Sequence, residues 1–368
     1  MKKLAVVTLY DDINIGNKLQ NYAVQEYFQE KGFKCETLRH IEMAHKPFTF
    51  LEFKFLICRI IGYPKKRANL LRLDYKRKKC FKKFSDKHLN LGRLISIKNI
   101  PDNVNEQYDY FVTGSDQVWR NWTESEEELR YFFLMFADKN KRLSFAPSFG
   151  RAQIDERFAD TYKKGIEEMR ILTCREESGA ELAEKLTGRK AEVILDPTMH
   201  IDVSKWKKLE KKPDEVPTKP YILAYFLGGD RAEIDKNVDL FAEQNGYEVV
   251  DIYNRSREKY YCTSPDEFLY LVHHAKLVVT DSFHACVFSI LYNKQFFVYD
   301  RVTKGMGNMS SRIKTLLKRF DLEDRNIERD CLLEESCVDF SRVKSILEAE
   351  KKRTDEIFKE IRIGLKNE

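Results

Sequence analysis

The 368-residue chain has no apolar run long enough to cross a membrane as a helix. Its most apolar stretch in the first half, "FTFLEFKFLICRIIG", is interrupted by Glu52, Lys54 and Arg59. The start, "MKKLAVVTLYDDINIG", has no small-residue cleavage site after its short apolar run. It therefore reads as a first strand rather than a signal peptide. There is no CxxC pair and no His at zinc-like spacing from a Cys, so no metal site is expected. The eight cysteines are scattered, several in apolar contexts, which fits reduced thiols in a cytoplasmic protein. Internal repeats and low-complexity tracts are missing too, which excludes solenoids and long disordered segments. A formal charge of +6 is too small to select a partner class.

What is present is alternation. "LAVVTLY" (4–10) reads as a strand, "GNKLQNYAVQEYFQEKG" (16–32) as a helix with Gly32 as its stop, and "FKCETLRH" (33–40) as a strand. After an irregular, basic insert (41–105), strands "YDYFVTG", "RLSFAP", "ILTC" and "EVILD" alternate with helical segments 154–169 and 176–188. "KLEKKPDEVPTKP" (208–220) is charged, Pro-punctuated and without apolar period, and reads as a linker. Strands "YILAYFLG", "YEVVDIY", "KLVVT" and "QFFVYD" then alternate with helices, including "SPDEFLYLVHHA" with its capping box of Ser264 and Glu267. The expected architecture is α/β. A first doubly wound, Rossmann-like domain (1–207) and a second (221–338) face each other across a cleft. A helix within 339–368, spanning about 339–365, returns to brace the two.

Open α/β sheets bind ligands beyond the carboxyl ends of their strands. Polar residues collect at those ends: Asp11, Asp12, Asn14, Gly16, Asn17 and Gln20 after the first strand, and Gly114, Ser115, Asp116 and Gln117 in "GSDQVW". Arg175 and Glu176 follow "ILTC", Asp196-Pro197 follows "VIL", and Asp281, Ser282, Phe283 and His284 follow "LVVT". Helices starting there point N–H groups and positive dipole ends at the cleft, which suits an anion. Each block also has a plainer reading: a helix entry at Gly16-Asn17, a turn at Asp196-Pro197, a half-buried core histidine at 284. Arg312, at the first turn of "SSRIKTLL", is misplaced against the helix dipole. It pairs either with a surface acid or with a bound anion.

The blocks "GNKLQNYAVQ", "YDYFVTGSDQVW", "LSFAPSFG", "CREESGAELAEKL", "VILDPTM", "TDSFHACVFSILYNKQFFVY" and "SSRIKTLL" resemble, in this order, the polysaccharide pyruvyl transferase family. The chain departs from it at Ala285, where the family has Gly after the motif His, and at Ser282 and Phe283, where familiar members are basic. The resemblance implies a fold similar to GT-B glycosyltransferases. It also implies transfer of a carboxyethylidene group from phosphoenolpyruvate to two sugar hydroxyls, giving a ketal and phosphate. The setting it implies is synthesis of a cell-surface polysaccharide such as a capsule or exopolysaccharide.

Such a reaction needs cations and N–H donors for the phosphate and carboxylate, an acid for the methylene carbon, and a base or relay for the hydroxyl protons. Arg175, Ser282, His284 and Arg312 are the donor-binding candidates, Asp116, Asp281 and His284 the catalytic ones. Asn14, Gly16, Asn17, Gln20, Ser115 and Gln117 are the acceptor-binding candidates. No cofactor is expected beyond phosphoenolpyruvate as co-substrate.

Between Arg59 and Lys87 there are twelve Lys/Arg and two acids. This reads as a solvated helix with Leu71, Tyr75 and Phe81 inward. Together with the apolar segment before it, 48–88 also suits peripheral contact with an anionic inner membrane surface. A polyprenyl-diphosphate-linked acceptor would give such docking a purpose. No nucleic-acid recognition fold is visible. The competing functions are a nucleotide-sugar glycosyltransferase of GT-B type and a non-catalytic family member.

Overall fold

The computed structural model describes residues 1–10, 13–42, 65–151, 153–228, 230–255, 257–301, 311–334 and 337–361. Asp11, Asp12, the apolar part of the insert and residues 362–365 lie outside these, as does all of the expected membrane-contact segment before the helix at 65.

The first domain is a parallel sheet. Its strands are β1 (Lys3–Val7), β2 (Lys34–His40), β3 (Leu91–Ile95), β4 (Tyr110–Thr113) and β5 (Arg142–Ser144), in the order 3-2-1-4-5. A bridge from Leu143 to Ile171 continues it into the parallel pair β6 (Thr173–Cys174) and β7 (Glu192–Val193). Leu4 to Val7 are fully buried because helices cover both faces, so they read as one apolar run. The helices are α1 (Ile15–Glu30), α2 (Lys65–His88), α3 (Val104–Gln107), α4 (Glu126–Phe132), α5 (Ala159–Glu167), α6 (Glu177–Thr187) and α7 (Val203–Leu209).

No regular element occupies 210–220. The second domain then has β8 (Tyr221–Tyr225), α8 (Ala232–Asn245), β9 (Glu248–Asp251), α9 (Pro265–His274), β10 (Leu277–Thr280), α10 (Phe283–Leu291), β11 (Gln295–Val298) and α11 (Ser311–Arg319). Its sheet is parallel with order 11-10-8-9. At the start of α9 the Ser264 N–H donates to Glu267 Oε2 at 2.9 Å, one arm of the expected capping box.

In each sheet the winding reverses once, between β1 and β4 and between β8 and β10. Chain leaving these strands therefore diverges to opposite faces and opens a crevice. The two crevices confront each other across α1. Twelve of the sixteen α1 residues are buried, because Val24 and Phe28 face the first sheet while Ile15, Leu19 and Ala23 belong to the second domain's core. α10 is buried along its whole length, as expected for a helix apolar on all sides.

The last helix is shorter than its charge pattern implied. α12 spans Val343–Ile357 and gives way to a single 3-10 turn at Lys359–Ile361. Val343 packs into the second domain, and Phe358 into the first against Phe28 and Phe145.

The register of α2 also differs from expectation. Leu73, Arg77, Phe81 and Phe84 are buried, whereas Leu71 and Tyr75 are only half-buried. Arg77 is 1% exposed because its guanidinium finds carbonyls: Ile252 O at 3.2 Å, Tyr261 O at 2.5 Å and Ile13 O at 3.4 Å. A buried charge is tolerated when most of it is hydrogen-bonded, as it is here through Nη1 and Nη2 although Nε has no partner. The basic helix is thus a bracket between the domains rather than a wholly solvated one.

Candidate active site

α1 begins where Asn14 caps it, its side chain accepting from the Asn17 N–H at 3.1 Å. This turns the Asn17 side chain toward β4, where its Nδ2 donates to Asp116 Oδ2 at 3.0 Å. Asp116 sits at φ 67°, a left-handed conformation that Asp tolerates better than most residues. Gly114 before it has φ 109°, and a Cβ there would lie 2.5 Å from Phe145 O. Gln20 ties the ends of β1 and β4 together. It donates to Thr8 Oγ1 at 2.7 Å and accepts from the Ser115 N–H at 3.0 Å.

Behind Asp116 lies a buried ion cluster. Arg175 donates to Asp196 Oδ2 at 3.0 Å and to Asp116 Oδ1 at 3.3 Å. The Ser115 hydroxyl donates to the same Asp196 oxygen at 2.6 Å. The second domain completes the cluster: His284 Nε2 lies 3.9 Å from Asp196 Oδ2, and Arg312 is 3.9 Å from Asp116 Oδ1. Both guanidiniums lie near Phe283, with Arg175 at 4.5 Å and Arg312 at 5.9 Å from its ring centre. His284 is seated directly on Gly16. A Cβ at position 16 would come within 2.2 Å of its Nδ1, so only glycine permits this approach between domains.

Electrostatics separates these groups. Burial alone would raise the Asp196 carboxyl, but His284, Arg175 and the hydroxyls of Ser115 and Thr198 bring it down to about 2. Asp116 is likewise held below the ordinary carboxylate range, against its burial, by Arg175, His284 and Arg312. Burial pulls His284 below its ordinary value, and the two arginines add to this against the two carboxylates, so the imidazole is neutral at pH 7. Arg175 gains a proton more readily than usual despite burial, because two carboxylates flank it. Arg312 is drawn down to about 9 by burial and by Arg175, with Asp116 only partly offsetting them. It remains charged at neutral pH but poorly paired.

A cleft of about 500 Å³ opens beside this cluster. Its walls include Asn14, Asn17, Asp116 and Gln117 from the first domain and Ser282, His284 and Arg312 from the second. Among the described residues of its walls, three buried polar atoms lack a hydrogen-bond partner: Gln117 Nε2, His284 Nε2 and Arg312 Nε. The amide and guanidinium nitrogens are donors, and His284 Nε2 becomes one when the imidazole is protonated, so the site has unmet capacity for a ligand rich in acceptor oxygens.

A model of the polysaccharide pyruvyl transferase family matches residues 14–301. The chain belongs to that family. No curated protein matches its sequence. Among solved structures, UDP-GlcNAc 2-epimerase from Methanocaldococcus jannaschii in complex with UDP-GlcNAc and UDP aligns over 98% of this chain and 100% of its own. The TM-score is 0.51 at 10% identity. UDP-GlcNAc 2-epimerase from Neisseria meningitidis aligns over 98% and 100%, with a TM-score of 0.46 and 10% identity. The polysaccharide pyruvyl transferase fold here is the GT-B-like pair of Rossmann-like domains. Family membership makes pyruvyl transfer the general chemistry.

Several sequence candidates of this family member do not line the cleft. Asp281 accepts from the Leu227 N–H at 2.7 Å and from Arg301 Nε at 3.0 Å, so its oxygens are committed to bracing the second crevice. Arg175 is 1% exposed at its side chain, and its Nη1 and Nη2 are held by two acids, while its Nε has no partner. Gly16, Gln20 and Ser115 are buried beneath the walls and position Asn17, Asp116 and His284. Arg312, expected off the core stripe, is buried with it.

Two cleft residues carry no motif in the sequence, and Asp196, a polar strand-end residue there, gains its carboxylate role only in the fold. Arg301, which Asp281 aims at the cleft, lies just past a strand in a segment without helical or strand pattern. Tyr253 had no motif at all. Arg301 and Arg312 both border the cleft together with Ser282 and Phe283.

Proposed function

We propose that the protein transfers a pyruvyl group from phosphoenolpyruvate to two hydroxyls of one sugar in a cell-surface polysaccharide or its lipid-linked precursor, closing a ketal. The observation that carries this reading is the poorly paired, buried Arg312 beside the unpartnered His284 Nε2 on the wall of the cleft. A phosphate and a carboxylate fit such a pair, and Arg301 adds a second guanidinium.

In this reading the donor's negative charge raises the His284 proton affinity, so binding loads the imidazole with a proton. His284 then delivers that proton to the methylene carbon, leaving a cationic centre at C2. A sugar hydroxyl oxygen attacks C2, its proton passing to the now neutral His284 imidazole, and the C2–O bond to phosphate breaks. The second hydroxyl adds to C2 and gives its proton to the released phosphate, so one phosphate leaves per ketal formed. Asp116, ionised and held by Asn17 and Arg175, anchors Arg312 and stabilises the protonated imidazole; it is too acidic to be a strong base. Asn14, Asn17 and Gln117 face the sugar from the first domain.

The test is incubation with phosphoenolpyruvate and candidate sugars. Phosphate release that requires the sugar, with a mass gain of one carboxyethylidene group on it, supports the reading. Sugar transfer from a nucleotide donor instead would overturn it in favour of a glycosyltransferase.

A further inference from the structure

A second cavity, of about 530 Å³, lies at the carboxyl ends of β8 and β9, and Tyr253 lines both it and the main cleft. Its charges are already paired. Arg231 donates to Asp235 from Nε at 2.7 Å and to Asp251 Oδ2 at 2.7 Å. Arg255 holds both oxygens of Asp74 at 3.0 Å. No strongly unpaired cation comparable to Arg312 is found among its described walls, so an anion gains little there. The rest of its surface is aromatic and amide: Phe226, Tyr253, Tyr261 and Asn254.

The aromatic wall is built with care. Tyr253 is half-exposed, and the buried guanidinium of Arg77 lies 4.9 Å from its ring centre. Tyr261, 6.4 Å from Tyr253 between centres, is fixed by its hydroxyl donating to Asp74 Oδ1 at 2.9 Å. The C–H face of a pyranose is apolar and lies well on such a ring, while its hydroxyls pair with planar amide, guanidinium and carboxylate groups.

We infer that this cavity is a subsite for uncharged sugar residues of the acceptor adjoining the one that is modified, with Tyr253 as the platform joining it to the cleft. The inference rests on the pyruvyl-transfer reading for the identity of the acceptor, but not for saccharide binding itself.

Two measurements test it. In the phosphate-release assay, a tetrasaccharide acceptor is expected to have a KM at least tenfold below that of the methyl glycoside of its terminal sugar. Tyr253→Ala and Asn254→Ala should each collapse that ratio, while Tyr253→Phe keeps it. A wild-type ratio near one, or a ratio unmoved in both alanine variants, overturns the subsite. Independently of turnover, saturation-transfer NMR with uncharged tetrasaccharides of glucose, galactose, mannose and N-acetylglucosamine should show binding that Tyr253→Ala abolishes. No transfer to any of them in the wild type also overturns it. Failure of phosphoenolpyruvate turnover with every sugar would count against the pyruvyl reading alone, and the NMR result would still decide the subsite.

Discussion

Arg175 and Arg312 both approach the Phe283 ring yet live in opposite conditions. Arg175 has carboxylates at 3.0 and 3.3 Å, whereas Arg312 has one at 3.9 Å and shares it. Arg312 is therefore the guanidinium with binding capacity to spare. Replacing it with Lys keeps the charge and loses the planar fork. Phosphoenolpyruvate affinity should weaken by about 1–3 kcal/mol, the range for a charged hydrogen bond; equal affinities by calorimetric titration would remove Arg312 from the donor site. Asp196 gives the complementary prediction. Its Asn variant leaves Arg175 buried with half its partners, and losing one member of a buried pair costs about 3–5 kcal/mol. The native carboxyl is held at about 2, below its unfolded value of about 3.9. Its contribution is present above pH 4 and is lost as pH falls toward 2. Urea midpoints of wild type and Asp196→Asn should thus differ most near neutrality and converge in acid. Asp196 shows how sequence conceals such a role: Asp-Pro is also an ordinary turn, and only the fold brings Ser115 and Arg175 onto its oxygens.

At the scale of elements, the βα junctions were the legible part. "DSFH" and "GSDQ" stand out because polar residues interrupt apolar runs at strand ends, and the strand-end rule needs no knowledge of the partner domain. What that rule cannot supply is depth. Gln20, Ser115 and Asp281 carry the same signal as Asn17 and Asp116 but serve as fasteners beneath the walls. Helix α2 was legible as a helix but not in its register. Pattern reading puts arginine outside, and Arg77 is inside because carbonyls from two domains converge on it. Removing that anchor should be felt in both. Arg77→Ala is expected to destabilise the fold by about 2–4 kcal/mol, through lost charged hydrogen bonds and a cavity between Phe81 and Tyr253. The measurement is urea unfolding, and a change within about 0.5 kcal/mol would mean the helix is an ornament on the first domain. At the start of α1, Gly16→Ala is expected to push His284 off its seat. Turnover should fall steeply and stability by about 1–3 kcal/mol, because the ring is buried between the domains and must shift; unchanged turnover would show that His284 need not rest there.

Across the whole molecule, the division at the linker is topological rather than mechanical. The second domain's core runs without a break through Ile15, Leu19 and Ala23 of α1, Phe81 and Phe84 of α2, and Trp206 of α7. The C-terminal segment closes the circuit. Glu350 of α12 accepts from Arg319 at 2.6 Å, on the helix that carries Arg312, and Arg353 donates to Val193 O at 2.8 Å in the first domain. Phe358 then plugs the first-domain core, 1% exposed against Phe28 and Phe145. Neither domain can unfold without exposing apolar surface that belongs to the other. Urea denaturation should therefore be a single transition whether followed by helix dichroism or by the fluorescence of Trp119 and Trp206. Phe358→Ala removes a ring from a packed site and is expected to lower stability by about 3–5 kcal/mol while keeping one transition. Loss of the plug also slackens the tie to α11, so the donor affinity of this variant should fall although residue 358 is remote from the cleft. Two separate transitions in the wild type would show that the halves fold independently. A Phe358→Ala protein of lowered stability but unchanged phosphoenolpyruvate affinity would confine α12 to stability and leave the setting of the cleft to α1 and α2 alone.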